Sequence, residues 1–186
     1  MVAALTDARR WTREEYERLV DQGFFDPEEK IELVDGVIRE MSPQSGRHAT
    51  GVLLIHSALS PLFAEGFHIR SQMPLALGFD SEPEPDLAVV LGTPLDNPNV
   101  HPSTAVLVVE VADSSLQRDR EKASLYARAG IPEYWLENLV DECLEVYREP
   151  KDGAYTSQRV VRARDSVSPM ARPEAEIPVA ALLPPR

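Results

Sequence analysis

Apolar and polar positions along this chain follow two periods, and each change of period marks a change of element. In "TREEYERLV" the side chains of Tyr16, Leu19 and Val20 fall on one helical stripe, and Thr12 and Glu15 have capping-box spacing. "IELVDGVIREMS" sets Asp35-Gly36 between two apolar-rich arms, which predicts a hairpin. "SGRHATGVLLIHSALSPLFAEG" returns to a helical pattern, with Pro61 expected to kink or split it and Gly66 to stop it.

Three strand candidates follow: "FHIRSQ", continued by "MPLALG", then "DLAVVLG", then "AVLVVEVA". The last two are continuous apolar runs, the pattern of strands covered on both faces. "TPLDNPNVHPS" between them is a loop. "SSLQRDREKASLYARAG" predicts a helix capped by Ser114 or Ser115 and ended by Gly130. "EYWLEN", "CLEVYRE" and "YTSQRVVRA" read as closing strands, and the proline-rich tail as a surface wrap with an apolar anchor from Val179 to Leu183. No internal repeat or long linker divides residues 1–186, so the chain reads as a single mixed α/β domain.

Composition narrows the classes. Of 186 residues, 43% are hydrophobic and 27% charged, an ordinary globular balance. With 19 Lys+Arg against 31 Asp+Glu the net charge is −12, which excludes non-specific coating by nucleic acid. Any such contact needs a local basic groove or a bound cation. The single cysteine, Cys143, excludes an intrachain disulfide. "MVAALTDARRW" lacks the pattern of a signal peptide, and the longest apolar stretch is too short to span a bilayer. A soluble, cytoplasmic protein is expected.

Candidate chemistry begins at "EPEPDLAVV", where Asp86 stands at the mouth of a segment patterned for burial. A carboxylate there must find a partner, shift its pKa or hold a metal, whereas a surface loop accounts for Glu82 and Glu84. Glu110 ends the next apolar strand. If the two strands are neighbours, the pair suits a hard divalent cation such as Mg²⁺ or Mn²⁺; the alternative is that Glu110 pairs with an arginine or reaches solvent. Lys122 lies one turn upstream of Leu125, Tyr126 and Ala129 on the inward face of the last helix, and either joins the carboxylates, snorkels, or pairs with Asp119. His48 and Arg47, at a helix start, could touch a phosphate or face solvent. Arg118 could line a basic groove or a solvated face. His56, His68 and His101 lack metal-ligand spacing, Tyr134 and Trp135 suit a core, and Ser114 and Ser115 have no histidine partner nearby in sequence.

The ordered set "ELVDG", "PEPDLAVV", "VLVVEVADSS" and "DREKASLYARAGIPEYW" resembles the Uma-type family of restriction-endonuclease-like proteins in the PD-(D/E)XK nuclease superfamily, from about Trp11 to Tyr147. The resemblance implies a restriction-endonuclease-like αβββαβ core, with a central mixed sheet flanked by helices and a metal site at the sheet's mouth. Asp86 takes the aspartate position of "PD" and Glu110 the second acidic position. The lysine usually found two residues on is replaced by Ala112, and Lys122 matches the relocated lysine of the following helix. Glu32 resembles the extra acidic residue ahead of the core strands.

The implied activity is Mg²⁺- or Mn²⁺-dependent phosphodiester hydrolysis, in DNA, with the carbonyl of Val111 as a further metal ligand and Arg47, His48 and Arg118 toward the nucleic acid. A homodimer is implied as well, because cutting both strands of a duplex calls for two active sites. Two rivals stand beside this reading. One is a nuclease-fold protein that binds nucleic acid or a protein partner without cutting; the other is a structural homodimer whose carboxylates form fold-stabilising pairs.

Overall fold

Thr12 opens the first helix, α1 (Arg13–Asp21), through the capping box that the spacing predicts: its hydroxyl accepts from the Glu15 N–H at 3.1 Å, and the Glu15 carboxylate accepts from the Thr12 N–H at 3.0 Å. Of the expected stripe, only Tyr16 is buried; Val20 is 49% exposed. The structure is a computed structural model, and it describes residues 9–26, 28–96 and 98–185. The reading of residues 1–8 therefore lies outside the described residues, as does that of Asn97 in the long loop.

The hairpin of β1 (Ile31–Val34) and β2 (Val37–Glu40) closes at Asp35 and Gly36, whose φ angles of 50° and 72° are those a two-residue turn demands. Helix α2 (Gly46–Leu59) stops before Pro61, so the proline ends it rather than kinking it. Ser45 caps it, accepting from the His48 N–H at 3.1 Å.

Next come β3 (Phe67–Ser71), β4 (Leu87–Leu91), β5 (Leu107–Ala112), α3 (Leu116–Arg128), β6 (Glu133–Asn138), β7 (Cys143–Lys151) and β8 (Ala154–Arg162). The six strands form one sheet in the order β3-β4-β5-β6-β7-β8. Its neighbours are antiparallel except β5 and β6, which are parallel and joined by α3. The succession α2, β3, β4, β5, α3, β6 is the αβββαβ order that the resemblance implies.

"MPLALG" does not continue β3. The chain turns at Gln72, with φ 52°, into a strap whose Leu75 and Leu77 are buried. The strap meets the hairpin through paired hydrogen bonds between Leu33 and Glu82. Glu82 is thereby buried, which corrects its assignment to a surface loop. Ser115 sits at the N-cap of α3 without a side-chain cap; its hydroxyl donates to the Asp119 carboxylate instead.

Alternation along β4 and β5 sorts their side chains into two cores. Leu87, Val89, Leu107, Val109 and Val111 pack with Val52, Ile55 and Leu59 of α2. The tail joins this layer through Val179 and Leu182, at the expected anchor. Ala88, Val90, Val108 and Ala112 pack with Leu125 and Tyr126 of α3, beside Tyr134. Glu110 shares the parity of the second set and so faces α3. Among the described residues, no helix is long and apolar enough to cross a membrane.

Candidate active site

Antiparallel pairing of β4 and β5 sets Leu87 opposite Val109. One step further, Asp86 and Glu110 clasp each other's strand. The Val111 N–H donates to Asp86 Oδ2 at 2.8 Å, and the Asp86 N–H donates to Glu110 Oε2 at 3.3 Å. Each carboxylate is thus oriented by the backbone of the opposite strand. Asp86 also receives His48 Nε2 at 3.1 Å and the Gln72 amide at 3.4 Å.

Helix α3 supplies the cation. Lys122, buried to 7% exposure, places Nζ 3.0 Å from Glu110 Oε1 and 3.0 Å from Glu32 Oε2. The Tyr126 hydroxyl, one turn on, donates to the same Glu110 oxygen at 2.8 Å. Glu32 arrives from β1 and also accepts the Glu84 N–H at 3.3 Å. Of the readings open for Lys122, this places its ammonium among the carboxylates, and Glu110 has found Lys122 rather than an arginine.

Negative charge exceeds positive in this buried cluster. Burial pushes the Glu110 carboxyl up to about 8 against the opposing pull of Lys122. Burial likewise raises Asp119 and Glu84, with Glu32 adding to the rise at Glu84. Burial alone would lower Lys122, yet Glu110 and Glu32 hold it above its ordinary value. At His48, burial is likewise overcome by the hydrogen bond and charge of Asp86, and the imidazole pKa is raised.

All of this lies at the base of a cleft of about 650 Å³, between α1, the hairpin, the residues leading into α2, and the first turns of α3. Glu32, Asp86, Glu110, Val111, His48, Arg118 and Lys122 line it. Arg118 reaches across to the Glu40 carbonyl and the Ser42 hydroxyl. Arg47 does not line the cleft; its guanidinium is held by the Leu139 carbonyl at 2.8 Å and by Glu142 at 3.3 Å.

A model of the Uma2 family, described as "putative restriction endonuclease", matches residues 13–180. The chain belongs to the Uma2 family. It also resembles a solved structure described as a putative nuclease belonging to DUF820 from Anabaena variabilis, at 18% identity and a TM-score of 0.73, over 92% of this chain and 96% of that one. At that identity the likeness establishes the fold. No curated protein matches the chain.

The donors of this Uma2 chain suit a hard divalent cation: two carboxylates, Asp86 and Glu110, in a cluster short of positive charge. Among the described residues, no three His, Cys, Asp or Glu side chains stand together in a ligating arrangement. A cation here would keep several waters, as Mg²⁺ does.

Sequence reasoning missed several members of the cluster. Tyr126 passed for core, although it lies four residues after Lys122 and so on the same helical face. Gln72 reaches Asp86 only through its left-handed backbone, which no local pattern announces. Glu137, fully buried, lies on β6 beside Val111 but faces α2. Both its carboxylate oxygens lack hydrogen-bond partners among the described residues, and burial, with the charge of Asp86, raises its pKa to about 8.

Proposed function

We propose that this chain is a divalent-cation-dependent nuclease that hydrolyses phosphodiester bonds in DNA. The observation that carries this reading is the convergence of Asp86, Glu110, Glu32 and Lys122 from four separate elements at the base of one cleft. Restriction-endonuclease-like families generally use divalent metals, and the family of this chain carries that description.

Asp86, Glu110 and the carbonyl of Val111 would hold Mg²⁺ or Mn²⁺, which supplies Lewis acidity toward the phosphate and toward a bound water. The backbone N–H groups of Val111 and Asp86 keep the two carboxylates aimed. His48, in the first turn of α2, holds Asp86 Oδ2, the oxygen that also accepts from the Val111 N–H. Lys122 sets positive charge beside the position of the scissile phosphate, where it stabilises the transition state more than the ground state. Glu32 positions that ammonium, and the Tyr126 hydroxyl keeps Glu110 turned toward it.

One observation favours a second reading, a nuclease fold that binds DNA without cutting. Ala112 stands where the strand lysine usually does, and Lys122 is already engaged by two carboxylates. The two readings separate on labelled DNA oligonucleotide titrated with the protein in Ca²⁺ and in chelator, followed by product analysis in Mg²⁺. The nuclease reading expects tighter binding in Ca²⁺ and cleavage products in Mg²⁺. Tighter binding in Ca²⁺ without products would install the silent binder, and equal affinity in Ca²⁺ and chelator would remove the cation-bridged site.

A further inference from the structure

The lining of the cleft combines a carboxylate cluster with exposed apolar side chains, and the combination points to a conformation of the substrate. The floor is the carboxylate cluster with Lys122. The lining contributed by α1 and the loops carries apolar side chains, Val20 of α1, Phe25 of the following loop, and Met41 and Pro43 ahead of α2, interspersed with Asp26, Glu29 and Lys30. Phe25 is half-buried and braced by rings on two sides, with its centroid 6.1 Å from Tyr16 and 5.3 Å from Phe24. Val20 stays half-exposed although it sits on a helix with a buried face.

Three physical arguments bear on what fits. The first is volume: about 650 Å³ falls in the range of pockets that enclose one small ligand, on the scale of a nucleotide or two. The acidic groups lie at its base, with Asp86 8% and Glu110 4% exposed, so a phosphate must enter the cleft to reach them. A duplex, carrying two backbones around a stacked core, is far larger than that space.

The second is charge. Carboxylates outnumber cations along the cleft, where Lys30, Arg118 and Lys122 are the lysines and arginines among the described lining residues. Lys122 and Arg118 are already engaged within the protein. A duplex brings twice the phosphate charge per length of a single strand, and so meets the greater repulsion.

The third is the apolar part of the lining. It can meet only a base whose face is free, and in a duplex those faces are stacked on one another. An unpaired nucleotide carries a charged phosphate at one end and an apolar ring at the other, matching the floor and these side chains.

We infer that the substrate of this site is single-stranded DNA, or an unpaired end, with a base lodged against Phe25 and Val20 while its phosphate reaches Asp86 and Glu110. This rests on the nuclease reading above. A single-strand substrate needs one active site, so the homodimer expected for duplex cutting is not required.

The test uses one fluorescein-labelled DNA oligonucleotide as a single strand, as a blunt duplex, and as a duplex with a single-stranded tail. Binding is measured in Ca²⁺ and cleavage in Mg²⁺, for wild type, Phe25→Leu and Val20→Ser. The single strand and the tail should bind at least about tenfold more tightly than the blunt duplex, the scale of one stacked base. Phe25→Leu keeps the apolar packing and removes the aromatic face, while Val20→Ser alters an exposed position. Each should shrink the single-strand advantage severalfold with thermal stability little changed. A blunt duplex bound and cut as well as the single strand would overturn the inference and leave the nuclease reading standing. An unchanged single-strand advantage in both variants would overturn the assigned base contact. No products from any of the three DNAs would overturn the nuclease reading and this inference together.

Discussion

Lys122 Nζ stands 3.0 Å from Glu32 Oε2, across 90 residues of sequence. That contact closes a buried ion group in which one ammonium bridges two carboxylates, since Glu110 Oε1 lies at the same distance on its other side. It ties the hairpin, β5 and α3 together at the base of the cleft. Under the proposed nuclease reading, it is also the contact that holds a positive charge in the cleft although Ala112 replaces the usual strand lysine.

Removing Lys122 should therefore damage both chemistry and fold. Lys122→Met should lower single-turnover cleavage by about 10²–10³-fold, the scale of losing one preorganised electrostatic group. It should also destabilise the protein by about 3–5 kcal/mol, because two buried carboxylates lose their partner. Urea unfolding of Lys122→Met and of the double variant Lys122→Met with Glu32→Gln separates the two effects. The double variant should recover part of the stability and none of the activity.

Tyr126→Phe removes one hydroxyl and leaves the ring in place. Losing one side-chain hydrogen bond costs about 0.5–1.5 kcal/mol. The remaining Glu110 oxygen contacts, from Lys122 and the Asp86 N–H, keep the carboxylate in the site. The expected result is a stable protein with weaker divalent-cation binding, measured by calorimetric titration with Mn²⁺. Unchanged Mn²⁺ affinity would remove Tyr126 from the support of the site.

These contacts divide what the chain displays from what it hides. Two continuous apolar strands with acidic residues at their ends were legible, because burial on both faces removes alternation and leaves Asp86 and Glu110 standing out. Lys122 was legible as an inward position, through its spacing from Leu125 and Tyr126. Its partner was not, because Glu32 reaches it through a hairpin tied to the strap at Leu33 and Glu82, a long-range pairing with no local period. The contacts of Gln72 with Asp86 and of Arg47 with the Leu139 carbonyl were hidden for the same reason. Their roles depend on where a loop returns and where β6 ends, not on their own neighbours in sequence.

Glu137 offers a test by pH. Burial and the charge of Asp86 raise its folded-state pKa to about 8 from an ordinary 4.5, so between those values the folded protein holds a proton that the unfolded chain has released. That contribution to stability is complete below pH 4.5 and is lost as pH rises through about 8. Glu137→Gln should flatten the decline and leave the protein more stable than wild type at pH 8. Thermal or urea unfolding of both proteins from pH 5 to pH 9 measures it, and parallel stability curves would contradict it. Gly51 gives a steric companion: a Cβ there would stand 2.8 Å from Glu137 Oε2 and 3.1 Å from Val111 Cγ1. Gly51→Ala should therefore destabilise by about 1–3 kcal/mol, and by less in a Glu137→Gln background.

The proposed function rests on Asp86 and Glu110 holding a divalent cation needed for DNA cleavage. The most direct measurement is cleavage of a labelled single-stranded DNA oligonucleotide as Mg²⁺ is titrated from chelator to excess, with Asp86→Asn purified and assayed in parallel. Wild type should yield products that rise with Mg²⁺ and vanish in chelator, and Asp86→Asn should lose at least about 10³-fold in rate while unfolding at a similar temperature. Products that persist undiminished in Asp86→Asn, or their absence from wild type at every Mg²⁺ concentration, would contradict it.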